Sequence, residues 1–337
     1  MSLAHSFLLT GAGNPEILSP AGISTAKLLR VLDILGIGFG RFAEEILQLI
    51  NLRYLALSTS ELPSSISGLW NLQILIVQAF TLSSWPRAVM PEILGIAQLE
   101  HIKLKGFYVW YDDKYFEHFV VQDQLQSLST IAISQLTNRV LRTIPNLDKL
   151  GILGDEELGH VRDVSRLHKL HTLKCTSLKR MDRGNLLSSL IFPHSLKKLT
   201  LRDCGILDSE MNRICKLPNL EILKLQGCGF ESLRWEPDEG DQFYRLRFWL
   251  MENLNLKYWA ADESHFPILR QLVILRCLDL KAIPLAIGEI PTLQVIEVHN
   301  CRPSVMDSAR MIQEQQLELG NDGLEVRFGT TWLKRKP

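Results

Sequence analysis

The chain has 337 residues, long enough for one large buried core or two to three ordinary domains. Its 46% hydrophobic and 22% charged content marks a globular rather than a disordered protein. Lys plus Arg and Asp plus Glu both number 37, so net charge is zero, which removes any global electrostatic case for nucleic acid or an anionic membrane.

Residues 1–26 come first and read as an irregular segment. Gly11, Gly13, Pro15, Pro20 and Gly22 interrupt it, and it shows no repeat. Nothing in it resembles the polar capping unit that covers the terminal core of a stacked array. The start, Met1 to Thr10, has no cationic region and only a short apolar stretch, so it is no export signal. The apolar region from Leu28 to Leu52 is broken by Arg30, Asp33, Arg41, Glu44 and Glu45, so it is not a membrane span. No asparagine begins an Asn-x-Ser/Thr sequon, and the six cysteines are scattered. Together these features place the chain in a reducing, cytoplasmic setting.

A repeat follows over residues 27–302. Phe42, Ile46, Leu49, Leu52, Leu55 and Leu57 are spaced at offsets 0, 4, 7, 10, 13 and 15. The same offsets recur at Leu62, Ile66, Leu69, Leu72, Leu75 and Val77, and at Ile283, Ile287, Ile290, Leu293, Ile296 and Val298. The kernel is Leu-x-x-Leu-x-Leu, whose last two apolar positions alternate like a short strand with one buried face. It starts at Leu29, Leu52, Leu72, Leu99, Leu128, Leu147, Leu170, Leu196, Leu220, Leu246, Leu269 and Leu293. The outermost starts lie 264 residues apart over eleven intervals, a mean period of 24, within the leucine-rich-repeat range. The copies at Leu128 and Leu147 are the weakest, and register errors are expected there. Pro63, Pro86 and Pro284 stand between strands, where proline stops a helix from continuing. One strand and its return loop cannot bury their own leucines, but stacked copies can. The expected fold is α/β: a leucine-rich-repeat solenoid, or horseshoe, of about 12 repeats with a parallel concave β-sheet. At strand spacing, that sheet is roughly 55 Å along its arc. Residues 303–337 form a C-terminal cap, with a helix over Met306 to Leu319 and a strand over Leu324 to Phe328.

Chemistry-bearing motifs are few. Gly36, Gly38 and Gly40 follow a strand-like run, but no Gly-Lys-Ser/Thr occurs anywhere, so they read as turn glycines rather than a phosphate cradle. Cys204, Cys228, Cys277 and Cys301 share the ninth repeat position and lack the close pairing of a zinc site, so a structural thiol ladder is expected. His299 and Cys301 stand two residues apart with no orienting group implied. The acidic runs Asp155-Glu156-Glu157 and Glu236 to Asp241 read as solvated loops that fit no calcium loop. Lys334-Arg335-Lys336 reads as a solvated tail. No nucleophile–base or metal constellation emerges, so no enzyme is expected and no catalytic, cofactor or metal residue is assigned.

The concave positions are more informative. In each kernel the residue before the second Leu, the one after it and the final x point to that side. This places His101, Lys103, Lys105, Lys149, Lys174, Lys198, Arg202 and Lys224 there, a basic stripe along the middle of a neutral chain. The first repeats offer Tyr54, Ile74 and Ile76 instead, and the later ones Phe248, Leu250, Glu252, Glu297 and His299. Stacked cations repel, so the stripe suits an acidic partner surface; a solvated stripe is the alternative. The insertion from Phe107 to Phe119 carries Tyr108, Trp110, Tyr111, Tyr115 and Phe116, either interface anchors or packing over the solenoid.

The run Leu62-Pro63-Ser-Ser-Ile66-Ser-Gly68-Leu69-Trp70-Asn71-Leu72-Gln-Ile-Leu75 resembles the repeats of plant coiled-coil, nucleotide-binding, leucine-rich-repeat disease-resistance proteins. Leu28-Leu-Arg-Val-Leu32-Asp, Asn51-Leu-Arg-Tyr-Leu55, Phe266-Pro267-x-Leu269-x-x-Leu272 and Leu280-x-x-Ile283-Pro284 are similar too. The likeness covers roughly residues 27 to 335 and is nearest to the late blight resistance protein homologue group. It implies a protein-recognition arm that senses a pathogen effector or guarded host protein, restrains the receptor's own nucleotide-binding domain, and leads to a hypersensitive defence response. The phosphate loop and coiled coil of that family are absent here. No cofactor is therefore expected in this chain, and ADP or ATP only in a full-length parent receptor. A protein partner is expected, with no nucleic acid and no membrane span. Two competing readings are a substrate receptor of a ubiquitin ligase, for which residues 1–25 are too short to hold an F-box, and a generic cytoplasmic signalling scaffold.

Overall fold

The offsets 4, 7 and 10 of the repeat are joined by consecutive three-residue hydrogen bonds. In one copy Ile66 N–H donates to Pro63 O (3.2 Å), Leu69 N–H to Ile66 O (3.0 Å) and Leu72 N–H to Leu69 O (3.0 Å). Three residues per turn eclipse side chains at i and i+3, so all three apolar groups face inward and are buried. The same relay runs through Ile46, Leu49 and Leu52, and through Ile287, Ile290 and Leu293. Offsets 13 and 15 then fall on the strand. Pro63 and Pro284 stand just before the short helices Ser64–Gly68 and Leu285–Glu289, where their carbonyls accept the first bond and no N–H is needed.

The computed structural model describes residues 5–8, 26–80, 86–89, 91–109, 121–154, 161–178, 185–238 and 240–329. They form two units, residues 1–153 with 166–170, and residues 154–165 with 171–337. The first holds β1 (Ser6–Leu8), β2 (Val31–Phe39), β3 (Tyr54–Thr59), β4 (Ile74–Ala79), β5 (Arg87–Val89), β6 (His101–Lys105), β7 (Phe107–Val109), β8 (Ser127–Ala132) and β9 (Lys149–Gly154). Its parallel sheet runs β1-β2-β3-β4-β6-β8-β9, with β5 and β7 paired at its side. Phe7, Leu32, Leu55, Leu75, Ile102, Leu128 and Leu150 share one register line.

The second unit holds β10 (Arg162–Asp163), β11 (Thr172–Ser177), β12 (Leu190–Ile191), β13 (Lys198–Arg202), β14 (Gly205–Ile206), β15 (Ile222–Gln226), β16 (Gly229–Phe230), β17 (Arg234–Trp235), β18 (Phe248–Glu252), β19 (Tyr258–Trp259), β20 (Gln271–Leu275), β21 (Val295–His299) and β22 (Glu325–Gly329). Its parallel sheet runs β11-β13-β15-β18-β20-β21-β22, and short strand pairs β10–β12, β14–β16 and β17–β19 lie beyond the strand ends. Trp249 replaces leucine on the central register line and packs with Trp235, Trp259, Phe243 and Phe266 at centroid separations of 5.1 to 6.1 Å. The terminal helix runs Pro303–Glu318, and β22 closes the row of strands beside β21.

In six copies the strand turns off the sheet at the eighth repeat position. Gly106, Asp203, Gly227, Asn253, Arg276 and Asn300 all have φ between 51° and 78°, the left-handed region. Four of their N–H groups extend the ladder by one rung: Asp203 donates to Gln226 O, Gly227 to Glu252 O, Asn253 to Leu275 O and Arg276 to His299 O (2.8 to 2.9 Å). The ninth residue then enters the core. Cys204 Sγ donates to Arg202 O (3.2 Å), Cys228 to Leu201 O (3.5 Å), Cys277 to Leu275 O (3.5 Å) and Cys301 to His299 O (3.4 Å), which forms the thiol ladder.

Four expectations need correction. The fifth copy begins at Leu125, not Leu128, because Leu128 pairs with Ile102 and Leu150 as the fourth position. An extra residue causes the slip: the register breaks between Leu128 and Ile131, and the Ser129 hydroxyl takes the Leu104 N–H at 2.6 Å in place of a strand. Gly151 is required opposite this bulge, since a Cβ there would meet the Ser129 carbonyl oxygen at 1.7 Å. Within the segment read as irregular, Ser6–Leu8 is a strand paired to β2. Gly36 and Gly38 are not turn residues but lie within β2, where the pairing is irregular between Ile34 and Gly38. Asp241 is not solvated; its carboxylate is buried and pairs with Lys216 Nζ at 3.0 Å.

Candidate recognition surface

Alternation along each strand sends leucines to one face and the remaining side chains to the open face. His101–Lys105 shows it plainly: Ile102 and Leu104 are buried, Lys103 and Lys105 exposed and His101 half-buried. In the first unit Lys105 Nζ reaches Gln78 Oε1 (3.4 Å), and exposed Lys149 stands 3.7 Å from Asp148. Tyr54 donates to Asp33 Oδ2 (3.3 Å); burial, then the Asp33 charge, raise its phenol above the ordinary value. Ile74 and Ile76 are half-buried beside it. Tyr108 is half-buried on β7 between buried Phe107 and Val109. Trp110, Tyr111, Tyr115 and Phe116 lie outside the described residues, as do Asp155 to Glu157 and Lys334 to Lys336.

In the second unit the register sorts the open face into three rows. One runs Thr172, Lys198, Ile222, Phe248, Gln271; the next Lys174, Thr200, Lys224, Leu250, Val273; the third Thr176, Arg202, Gln226, Glu252, Leu275. The cations are therefore staggered, not stacked: no two are register partners across β11 to β15. This corrects the sequence expectation. Repulsion persists nonetheless. Burial first and Arg202 second lower the Lys174 ammonium from its ordinary value, and burial with Lys198 does the same to Lys224. Lys224 Nζ sits 5.1 Å from the Phe248 ring centroid.

Beyond β15 the face becomes apolar. Leu250, Val273 and Leu275 are buried together, with Phe248 packed against them. The carboxylates around them are satisfied internally. Arg202 donates to Gln226 Oε1 (3.1 Å), Gln226 donates to Glu252 Oε2 (2.5 Å), and Arg276 pairs with the other Glu252 oxygen. Glu297 accepts from Gln271 (3.0 Å) and Arg327 (3.3 Å), and His299 Nε2 stands 3.6 Å from it. Nothing brings an imidazole nitrogen of His299 to the Cys301 thiol; the sulfur donates to a backbone carbonyl. Among the described residues no three His, Cys, Asp or Glu side chains are placed to share a metal ion, and no helix is long and apolar enough to cross a membrane.

Two contributors were missed in the sequence. Arg276 and Arg327 neutralise the face from outside the kernel positions. A ladder of asparagines, each just before an opening Leu, ties neighbouring copies: Asn51 to Lys27 O, Asn71 to Ile50 O, Asn146 to Asp123 O and Asn219 to His194 O, all 2.8 to 2.9 Å. The recurring Asn-Leu pair was its signal.

One parallel strand per copy, inward leucines, short outer turns and a residue buried at each strand end make this a leucine-rich-repeat protein. No family model matches it. By sequence, over most of its length, it is homologous to plant late blight resistance protein homologues. The putative homologue R1B-16 of Solanum demissum is 32% identical over 328 residues, 94% of this chain and 25% of the relative. The putative homologue R1B-12 of the same plant is 32% identical over 299 residues, covering 87% of this chain and 22% of the relative. The chain thus spans about a quarter of the length of these relatives. Among solved structures, an internalin from Listeria monocytogenes aligns with a TM-score of 0.54 at 11% identity, covering 93% of this chain and 83% of that one. The functional domain of InlJ from the same bacterium, which includes a cysteine ladder, aligns at 0.50 and 15% identity over 88% of this chain and 65% of that one. Both likenesses concern the fold alone.

Proposed function

We propose that this chain is a non-catalytic protein-recognition module of an intracellular plant immune receptor, which senses a pathogen effector or a guarded host protein. In the intact receptor it also restrains a nucleotide-binding domain until that encounter. The observation that carries the reading is the open face of the second unit. It combines cations that have no carboxylate partner among the described residues with a buried apolar patch, presented on a preformed sheet rather than gathered into a pocket with catalytic groups. Homology to disease-resistance protein homologues supports it. The test is an exchange: the matching segment of a late blight resistance homologue is replaced by this chain and expressed in leaves with a panel of pathogen effectors. A recognition module changes which effectors trigger cell death while leaving triggering itself intact. An unchanged effector spectrum would assign recognition to another part of the receptor.

A further inference from the structure

The open face of the second unit is electrostatically one-sided. Toward β18 to β22 its acids are already engaged: Glu252 by Gln226 and Arg276, Glu297 by Gln271 and Arg327. Toward β11 to β15 lie Lys174, Lys198, Arg202 and Lys224, and among the described residues none has a carboxylate within ion-pair distance. Arg202 has only the neutral Gln226 amide, and Lys224 only the Phe248 ring.

The register fixes how the four stand. Lys174 and Lys224 share a row two strands apart, with the Thr200 hydroxyl between them; Lys198 and Arg202 sit on the intervening strand, one in the row on either side. Adjacent strands are about 4.8 Å apart, so the two lysines of the shared row are roughly 10 Å apart. Side chains on one face of an extended peptide recur every two residues, about 7 Å. Carboxylates at that spacing reach the long cationic side chains from above without a change in the sheet. We infer that Lys174, Lys198, Arg202 and Lys224 form a docking surface for an extended acidic protein segment, whose apolar residues continue onto the Phe248 side. The inference rests on the recognition reading above and narrows it to one quadrant of one unit. Nucleic acid fits less well. The Phe248 face that could stack a base is covered by Lys224, and the chain as a whole has no net positive charge.

The test is fluorescence anisotropy with the full chain and a labelled peptide bearing Asp at alternate positions with Ser and Leu between. A peptide with Lys in place of Asp and a labelled single-stranded RNA serve as comparisons. The acidic peptide binds best, and added salt weakens it. The triple variant K174Q/K198Q/K224Q loses about tenfold in affinity, whereas K103Q/K105Q/K149Q in the first unit changes it less than about twofold. Circular dichroism checks both folds; should the first triple variant unfold, R202Q alone reports, with an expected loss of about threefold. Equal losses from both triple variants, no preference for the acidic peptide, or tighter RNA binding would each overturn the inference. An effector spectrum that changes in the exchange experiment while the acidic peptide fails to bind removes this surface and leaves the receptor reading standing. The reverse pattern keeps the surface and removes the receptor reading.

Discussion

Lys224 Nζ lies 5.1 Å from the ring centroid of Phe248, diagonally across the β15–β18 pair. The contact marks where the open face passes from cationic to apolar. A half-exposed cation over a phenyl ring is worth on the order of 0.5–1 kcal/mol. A double-mutant cycle with Lys224→Met and Phe248→Leu, read by urea denaturation, is expected to return a coupling of about that size. A coupling of zero would mean that the two side chains only happen to be near each other.

Glu210 sets a pH dependence of opposite sign to an ordinary surface acid. It caps the helix Asp208–Cys215 by accepting the Leu207 N–H at 2.9 Å, yet it is only 3% exposed. Burial pushes its carboxyl up to about 7; the Leu207 hydrogen bond and Arg213 oppose the rise without cancelling it. An acid whose pKa is higher folded than unfolded favours the fold while protonated. That contribution is full below the unfolded value near 4.5 and is lost as pH rises toward 7. Glu210→Gln should therefore match wild type near the acid end and exceed it by on the order of 2–3 kcal/mol at pH 8. Thermal denaturation across that range decides the matter; a constant difference at all pH values refutes it.

Asn300 occupies the left-handed turn position with φ 51° and an exposed side chain. Asn300→Gly is expected to be neutral or stabilising by up to about 1 kcal/mol, whereas Asn300→Val should cost about 1–2 kcal/mol because a branched Cβ crowds that backbone. Chemical denaturation of the two variants should separate them. Equal midpoints would show that the backbone changes shape there.

The cysteines should be sluggish toward thiol reagents. Burial holds Cys175 and Cys277 up at about 12. Cys204 stands well above its usual range, first through its sulfur contact with Cys228 and then through burial. Cys301 is raised less severely and is only half-buried. Under native conditions Cys301 should label first, and the others only on unfolding. Early modification of Cys204 would argue against the buried ladder.

Most of the architecture was legible because three-residue turns and two-residue strand alternation force apolar residues into fixed offsets. The slip at Leu128 shows the limit. Leu125, Leu128 and Ile131 offer two acceptable phases, and only the hydroxyl of Ser129 inserted at Leu104 selects one. Ser6–Leu8 was too short to carry a period, and Asp241 looked solvated because its burial depends on Lys216, 25 positions away. On the surface, period two puts the lysines on the face opposite the leucines. It could not show that Glu252 and Glu297 are silenced by Arg276 and Arg327, because Arg276 stands one residue beyond the kernel and Arg327 lies on a terminal strand outside the repeat, level with Glu297. The asymmetry of the face was therefore hidden in pairings rather than in composition.

The strand registers have one more consequence. Successive opening leucines are 20 residues apart between Leu52 and Leu72 and 27 between Leu72 and Leu99, yet Leu55, Leu75 and Ile102 remain level. The sheet counts strands, not residues. Length differences in the return segments leave the strand register in step. Lineages of this chain can therefore drift in length while the rows stay aligned, and an engineer can rewrite one strand's outward residues as a cassette without disturbing its neighbours' phase.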